Sequence, residues 1–122
     1  MEPDYVVRAA STATFGRVLL NARTQHLVVD GPVQNGCPGE AVTPAELFLG
    51  GIASCAVELL QVIARERGVA LGGIDAAVAG TIDRAHEVRS DVTVFSSVAL
   101  RFALRGVGDE DAAAMVESFK GR

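Results

Sequence analysis

One segment limits the fold of this chain more than any other: a long, mostly apolar stretch with a clear helix start and a clear stop. Thr43, Pro44 and Glu46 have the spacing of a helix N-terminus, where threonine caps, proline fits the first turn and glutamate completes a capping box. Gly68 is a typical C-terminal stop. Because the residues between them are apolar on nearly every side, we expect a central helix over residues 44–67 that is buried on most faces.

The segments on either side of this helix predict strands and a second helix. Before it, short runs of Val, Leu and Thr indicate a three-stranded meander over residues 5–11, 18–21 and 27–30, followed by an irregular loop over 31–42. After it, two β-branched runs at 74–82 and 92–104 flank a polar hairpin loop at 83–91, and helical spacing returns at 109–119. The order β-β-β-α-β-β-α predicts an α+β fold. A chain of 122 residues has the size of one domain, so we expect a single domain over 1–122.

Composition and charge argue against several kinds of partner. The net charge is −4, and the 11 basic residues are scattered rather than clustered, which argues against nucleic acid. The longest apolar run, at 47–57, is about half of the ~20 residues that a membrane span requires. The acidic N-terminus lacks the features of a secretory signal, and two cysteines far apart in the sequence favour a reducing compartment. We therefore expect a cytoplasmic protein without nucleic-acid or membrane partners.

Two glycines and a cysteine make the central helix a candidate for function as well as for the core. Gly50 and Gly51 each cost about 1 kcal/mol relative to alanine in a helix interior. Either another helix or a ligand approaches closely there, or tertiary packing overrides the propensity. Cys55 shares a face with Gly51 and Ile52, and its sulfur leans over the turn that contains Gly51. The thiol is therefore either reactive or a small, inert core residue.

A reactive Cys55 needs a cation from elsewhere in the fold. A free thiol with a pKa near 8.5 is only about 3% thiolate at pH 7. The helix dipole acts mostly within the first turn, which lies about 16 Å from Cys55 at 1.5 Å per residue. The candidate cations are on the N-terminal meander: Arg8, Arg17, Arg23 and, more weakly, His26.

The stretch TPAELFLGGIASC at residues 43–55 resembles the central helix of the OsmC/Ohr family, the osmotically inducible and organic hydroperoxide resistance proteins, in its broader OsmC-like branch. The preceding LVVDGP at 27–32 and the order of elements are also similar to the family. The resemblance implies an intertwined homodimer in which two central helices pack together and the active sites lie at the subunit boundary. Such packing would account for Gly50 and Gly51.

The family's enzymes are thiol peroxidases that use no metal, haem or other cofactor. The resemblance implies that Cys55 attacks an organic or hydrogen peroxide and becomes a sulfenic acid, in oxidative stress defence. In the family a second cysteine resolves this acid to a disulfide, an external dithiol reduces the disulfide, and an arginine held by a glutamate stabilises the thiolate. The segment TATFGR at 12–17 resembles the family's arginine-bearing turn, which makes Arg17 the candidate for that role. We expect the substrate pocket to include four helix residues, whose apolar members favour alkyl hydroperoxides: Phe48, Gly51, Ile52 and Leu59.

The chain departs from the family pattern at two places. Ala45 occupies the position of the glutamate in the hydroperoxide-specialised enzymes, and Glu46, one place along, is expected to serve the capping box. The sequence ends at Arg122, where the family's Cys-Pro and last strand would follow, so either the chain is shortened or the resolving cysteine is absent. Cys37 in the long loop is then either a stand-in resolving thiol or an incidental loop cysteine.

These departures leave a second hypothesis open. In it the chain is a non-catalytic OsmC-like dimer whose cleft binds a small apolar ligand. The two hypotheses share the homodimer and differ in whether Cys55 reacts with peroxide. We expect no metal in either case, because the side chains that could bind one lack the spacing of metal ligands: His26, Cys37, Cys55 and His86.

Overall fold

The structure, a computed structural model, describes residues 1–87, 89 and 94–122. The chain forms two compact units, Met1–Phe48 and Leu49–Arg122. An antiparallel sheet makes up most of the first unit, with strands β1 (Arg8–Ser11), β2 (Arg17–Ala22) and β3 (Gln25–Asp30) in that order.

The β2–β3 hairpin fixes the register that matters for the site. Its turn is tight, and Arg23 adopts a left-handed φ of 58° there. The register pairs Arg17 with Asp30 at the open end of the hairpin. After β3, the predicted irregular loop contains one turn of 3-10 helix at Val33–Asn35.

The central helix, α1 (Pro44–Arg67), begins with a capping box. The Thr43 backbone N–H donates to Glu46 Oε1 at 3.0 Å, and the Glu46 backbone N–H donates to Thr43 Oγ1 at 3.3 Å. These bonds satisfy N–H groups that have no partner within the helix. At the other end, Gly68 has a φ of 67° and terminates the helix in the left-handed conformation.

Removing the cap is expected to destabilise the fold. Thr43→Ala deletes the hydroxyl that accepts from the Glu46 N–H, and such a loss costs about 1 kcal/mol. Urea unfolding of the variant and the wild type measures the difference. Thr24→Ala is the control, because Thr24 lies exposed in the β2–β3 turn and has no side-chain hydrogen bond among the described residues. An equal loss of stability in both variants would contradict the prediction.

The second unit packs its helices against a two-stranded sheet. β4 (Gly73–Thr81) and β5 (Ser97–Arg105) pair antiparallel, and α2 (Asp109–Phe119) follows. The rings of Phe102 and Phe119 meet edge to face, with centroids 5.6 Å apart. The most deeply buried residues come from both helices: Leu60, Ile63, Ala64 and Met115.

Within the chain, α1 buries one face and exposes another. Its buried residues fall on one face: Ala56, Leu60, Ile63 and Ala64. Its exposed stripe, called here the glycine–cysteine face, comprises Gly50, Gly51, Ser54, Cys55 and Glu58. The expected burial on most sides is therefore not provided by the described part of this chain. By length and composition alone α1 could also cross a membrane, a test that core helices of soluble proteins pass equally.

The element order confirms the predicted α+β class, but every strand differs from its predicted limits, most of all β1 and β5 at their starts. β1 begins at Arg8 rather than at residue 5, because Arg8 pairs with Asn21 and the partner strand β2 ends one residue later. β5 begins at Ser97 rather than at residue 92. Residues 92 and 93 of the predicted strand, and 88, 90 and 91 of the predicted hairpin loop, lie outside the described residues.

Candidate functional site

The most highly organised polar group in the first unit is the ion pair of Arg17 and Asp30. Arg17 Nε donates to Asp30 Oδ1 at 2.8 Å, and Arg17 Nη2 donates to Asp30 Oδ2 at 2.8 Å. This is the two-bond, side-on geometry that holds a guanidinium in one plane. Arg17 Nη2 also lies 3.4 Å from Oε1 of Glu40, an exposed carboxylate. Asp30 therefore fixes one edge of the guanidinium, and Glu40 contacts it only weakly.

Asp30 is also the acceptor that ties the following loop to the sheet. Its Oδ2 accepts the backbone N–H groups of Glu40 at 3.0 Å and Ala41 at 2.9 Å. Among the described residues, Asp30 is the one buried polar or charged side chain. A buried carboxylate is tolerated only when it is paired and hydrogen-bonded, and here both of its oxygens are.

These contacts shift the titration of both partners. The hydrogen bonds from Arg17 hold the pKa of Asp30 well below its usual range, with the backbone N–H groups of Ala41 and Glu40 acting in the same direction and burial opposing them. The hydrogen bond to Asp30 raises the pKa of Arg17 further above its ordinary value. Both groups are therefore charged at neutral pH.

The ion pair is expected to make the fold sensitive to acid. The ordinary pKa of an aspartate is 3.8, and that of native Asp30 is lower. Below about pH 4, residue Asp30 is therefore protonated in the unfolded chain while it is still ionised in the native one. The contribution of Asp30 to stability is thus present above about pH 4 and is lost as the pH falls toward the native pKa. Urea unfolding of wild type and Asp30→Asn from about pH 5 to about pH 2.5 checks this. Wild type should lose stability more steeply than the variant, and parallel curves would contradict the prediction.

Cys37 lies against the backbone on both sides of this ion pair. A Cβ added at Gly31 would lie 2.5 Å from Cys37 Sγ, and one added at Gly16 would also collide with that sulfur. Gly16 has in addition a φ of 80°, which favours glycine. Cys37 is half-buried, and its thiol is free. The glycines that flank Arg17 and Asp30 thus make room for a cysteine side chain.

Glu46 serves the capping box of α1, as the sequence predicts. The backbone N–H of Thr43 and then its hydroxyl lower the pKa of Glu46 by donating to its carboxylate. The other cations considered from the sequence have different surroundings. Arg8 and Arg23 are exposed, and His26 lies beside the side chain of Asn21.

Cys55 belongs to the second unit, where it is exposed on the glycine–cysteine face and its thiol is free. Beside it, the Ser54 hydroxyl donates to the Gly50 carbonyl at 2.8 Å, so it is satisfied within the helix. Apart from the adjacent residues and the backbone of α1 itself, no described atom lies within 4 Å of a Cβ added at Gly50 or Gly51. Ile52 and Leu59 are half-buried. The described part of the chain therefore leaves the space over Gly51 open.

An apolar groove of about 380 Å³ lies in the first unit, between the sheet and the first turn of α1. Because side chains alternate along a strand, Val18 and Leu20 face this groove and Arg17 faces the other side of the sheet. Phe48, which the sequence assigns to the substrate pocket, is part of the lining. The lining residues are Ala9, Val18, Leu20, Val29, Pro44, Leu47 and Phe48.

The partner of Arg17 is the main feature that sequence reasoning missed. The family resemblance implies that a glutamate holds the arginine, whereas the residue that holds Arg17 is Asp30 at the end of β3. Register could have found it, since counting outward from the β2–β3 turn places Asp30 opposite Arg17. Within 1–87, 89 and 94–122, no group of three or more His, Cys, Asp or Glu side chains could hold a metal ion.

Comparisons with known proteins agree with this fold. The family model described as OsmC-like protein matches residues 37–121. Comparison with curated proteins gives no match. The structure is similar to an OsmC-like protein from Mycoplasma pneumoniae, with a TM-score of 0.82 at 13% identity over 100% of this chain and 84% of that one.

Two further solved structures are named for organic hydroperoxide resistance. The protein from Legionella pneumophila has a TM-score of 0.74 at 20% identity, covering 96% of this chain and 82% of that one. The protein from Elizabethkingia anophelis, with thiocyanate bound, has a TM-score of 0.74 at 18% identity, covering 98% of this chain and 84% of that one. At these identities the structures show the shared fold, and the family match covers most of the sequence. The chain therefore belongs to the OsmC-like protein family.

Proposed function

We propose that this protein is a thiol-dependent peroxidase that reduces organic or hydrogen peroxides through a sulfenic acid at Cys55, in defence against oxidative stress. The observation that carries the proposal is the free, exposed thiol of Cys55 on α1, in a family with structural neighbours named for organic hydroperoxide resistance. A peroxidatic thiol must be reachable by its substrate, and a thiol sealed in the core would be inert.

The proposed chemistry is a two-stage exchange. The Cys55 thiolate attacks one oxygen of the peroxide, the O–O bond breaks, and the other oxygen leaves with its electron pair and takes a proton to become an alcohol or water. The sulfur is oxidised to sulfenic acid. A second thiol then attacks this sulfur, expels water and forms a disulfide, which an external dithiol reduces by exchange. Cys37 is the candidate second thiol in this chain, and an external thiol is the alternative.

Arg17 is proposed to stabilise the Cys55 thiolate. An unperturbed thiol is about 3% ionised at pH 7, so lowering its pKa by one unit raises the thiolate fraction about tenfold. Arg17 is suited to this because it stays charged and because Asp30 holds it in one orientation. The same guanidinium can donate to the oxygen that leaves when the O–O bond breaks.

A homodimer is proposed as the working form, with a second copy of the chain packed over Gly50 and Gly51 and with Cys55 at the subunit boundary, where a substrate can still reach it. Two adjacent glycines in a helix interior are costly, and no neighbouring element of the described residues comes within 4 Å of a Cβ added at either one. A second α1 packed there would use that space. OsmC-family proteins are soluble, and we place this one in the cytoplasm, where its two thiols stay reduced.

The substrate is proposed to be an alkyl hydroperoxide. Gly51 and Ile52 lie near Cys55 on α1, and Phe48 is a further apolar side chain of the same helix. An apolar pocket lining favours an alkyl substituent over a second water-like oxygen. The apolar groove of the first unit, on the face of the sheet opposite Arg17, favours instead the second candidate function, in which the dimer binds a small apolar ligand without chemistry.

Trapping the sulfenic acid separates the two functions. Reduced protein is treated with cumene hydroperoxide in the presence of dimedone, and the labelled cysteine is located by mass spectrometry. We expect one label on Cys55, none in Cys55→Ser, and stronger labelling in Cys37→Ser because the acid would no longer be resolved. Equal labelling in Cys55→Ser and wild type would contradict the assignment. An unlabelled wild type that still binds cumyl alcohol would favour the binding protein.

A further inference from the structure

We propose that Asp30 is the positioning residue for Arg17: it holds one edge of the guanidinium so that the other edge is presented to an anion. This rests on the proposed function, because the anion in question is the Cys55 thiolate or the oxygen that leaves the peroxide. Asp30 itself does not touch the reacting atoms in this proposal. It acts through Arg17.

Asp30 is held in place by burial and by hydrogen bonds. It is completely buried, whereas the Arg17 side chain is 31% exposed. Oδ1 accepts from Arg17 Nε, while Oδ2 accepts from Arg17 Nη2 and from two backbone N–H groups of the loop. Four hydrogen bonds from two directions leave the carboxylate one orientation. Because Arg17 makes two hydrogen bonds to this fixed carboxylate, its guanidinium is held in one orientation as well.

Asp30 uses only part of the hydrogen-bonding capacity of the Arg17 guanidinium. A guanidinium has five N–H donors in a fixed plane. Asp30 takes those of Nε and one of Nη2, and Nη1 has no hydrogen-bond partner among the described residues. The outer edge, Nη1 with the second N–H of Nη2, is therefore the edge that can receive an anion. The contact of Glu40 with this guanidinium is a long one, 3.4 Å from Nη2, and the Glu40 side chain is 78% exposed.

The neighbouring carboxylates, Glu46 and Glu40, do not fix the orientation of Arg17. The Glu46 carboxylate accepts hydrogen bonds from the Thr43 N–H and hydroxyl in the capping box. Glu40 makes one long contact and is free to turn into solvent. A mobile, exposed carboxylate does not fix a long side chain, because such pairs contribute little against side-chain entropy. Asp30 is the described residue that meets the requirement.

A spectroscopic test reads the positioning without any activity. In 15N NMR, the Arg17 Nε–H proton of wild type should exchange slowly with solvent, because it is bonded to a buried carboxylate. We expect this signal to survive in Glu40→Gln and to broaden into solvent exchange in Asp30→Asn. A protected Nε–H in Asp30→Asn would overturn the proposal.

The kinetic test asks whether the fixed orientation matters to the thiol. Loss of the negative charge of Asp30 should by itself favour the Cys55 thiolate and speed the reaction. Loss of the fixed orientation of the Arg17 guanidinium should slow the reaction. We expect Asp30→Asn to reduce peroxide about tenfold more slowly at pH 7, with its pH–rate profile displaced to higher pH. The matched control is Asp75→Asn, which removes a carboxylate paired with Arg105 on the exposed side of the second unit. An unchanged or faster Asp30→Asn, with the control unchanged, would overturn the proposal.

A second variant covers the case in which Asp30→Asn folds poorly. Arg17→Lys keeps the charge opposite Asp30 but cannot make the two-bond contact. We expect it to fold, to react about tenfold more slowly, and to be insensitive to adding Asp30→Asn, because positioning acts through the guanidinium. An additive loss in the double variant would overturn the proposal. A wild-type protein that reduces no peroxide would contradict the proposed function instead, and the Arg17 Nε–H signal would then decide the role of Asp30 alone.

Discussion

Replacing Arg17 with methionine is expected to slow peroxide reduction at least tenfold at pH 7. Without the guanidinium, the proposed stabilisation of the Cys55 thiolate is lost, and the reactive fraction of this thiol should fall about tenfold. The leaving oxygen would also lose a charged donor, an effect that adds to the first. The measurement is kcat/KM for cumene hydroperoxide with a dithiol reductant, across the pH range in which the protein is folded.

The control for this variant is another arginine of the same sheet. Arg8 lies on β1 and is exposed, and Arg8→Met removes the same charge and the same hydrogen-bonding capacity. We expect its kcat/KM to stay within about twofold of wild type, since long-range charge effects in solvent are screened. Because Arg17→Met also strips Asp30 of its partner, circular dichroism must show that both variants are folded at the assay temperature. Equal losses in the two variants would contradict the role given to Arg17.

The second large effect is expected at Gly51. In the chain alone a side chain at this position meets open space, and leucine is a better helix former than glycine, so Gly51→Leu should not harm the monomer. If a second copy packs against the glycine–cysteine face, the same side chain collides with it. Overpacking of this kind costs about 1–3 kcal/mol, which corresponds to a dimer weaker by roughly five- to 150-fold.

Sedimentation velocity over a concentration series measures this directly. Wild type should sediment as a dimer, and Gly51→Leu should dissociate at concentrations where wild type does not. Ala113→Leu is the matched control, since it enlarges an exposed small residue on α2 and should leave the dimer intact. A wild-type monomer, or a Gly51→Leu dimer as tight as wild type, would contradict the proposed assembly.

Much of the fold follows from local signals in the sequence. The capping box at Thr43 and Glu46 and the stop at Gly68 are read from neighbouring residues, so the helix limits could be predicted. The strand limits were less accessible, because β1 begins opposite the end of its partner β2 and not where its own apolar run begins. Pairing between strands is a property of two segments, and one segment alone does not encode it.

The candidate site was predictable only in part, for the same reason. Arg17 and Cys55 were reached through family resemblance and through the chemistry that a thiolate requires. Asp30 was not found, although it lies opposite Arg17 in the hairpin, because a single aspartate at a strand end is usually a turn residue. Its burial comes from the loop that folds back to give it two N–H groups, and that contact joins residues ten or more apart in sequence. Likewise, the notch that holds Cys37 is formed by Gly16 and Gly31 from two different strand ends.

The central claim is that Arg17 stabilises the Cys55 thiolate, and the alkylation rate of this thiol tests the claim most directly. Iodoacetamide is reacted at pH 7 with Cys37→Ser, where Cys55 is the one remaining cysteine, and with the same protein carrying Arg17→Met in addition. We predict that the first protein reacts about tenfold faster than the second. Equal rates in the two proteins would contradict a thiolate that Arg17 stabilises.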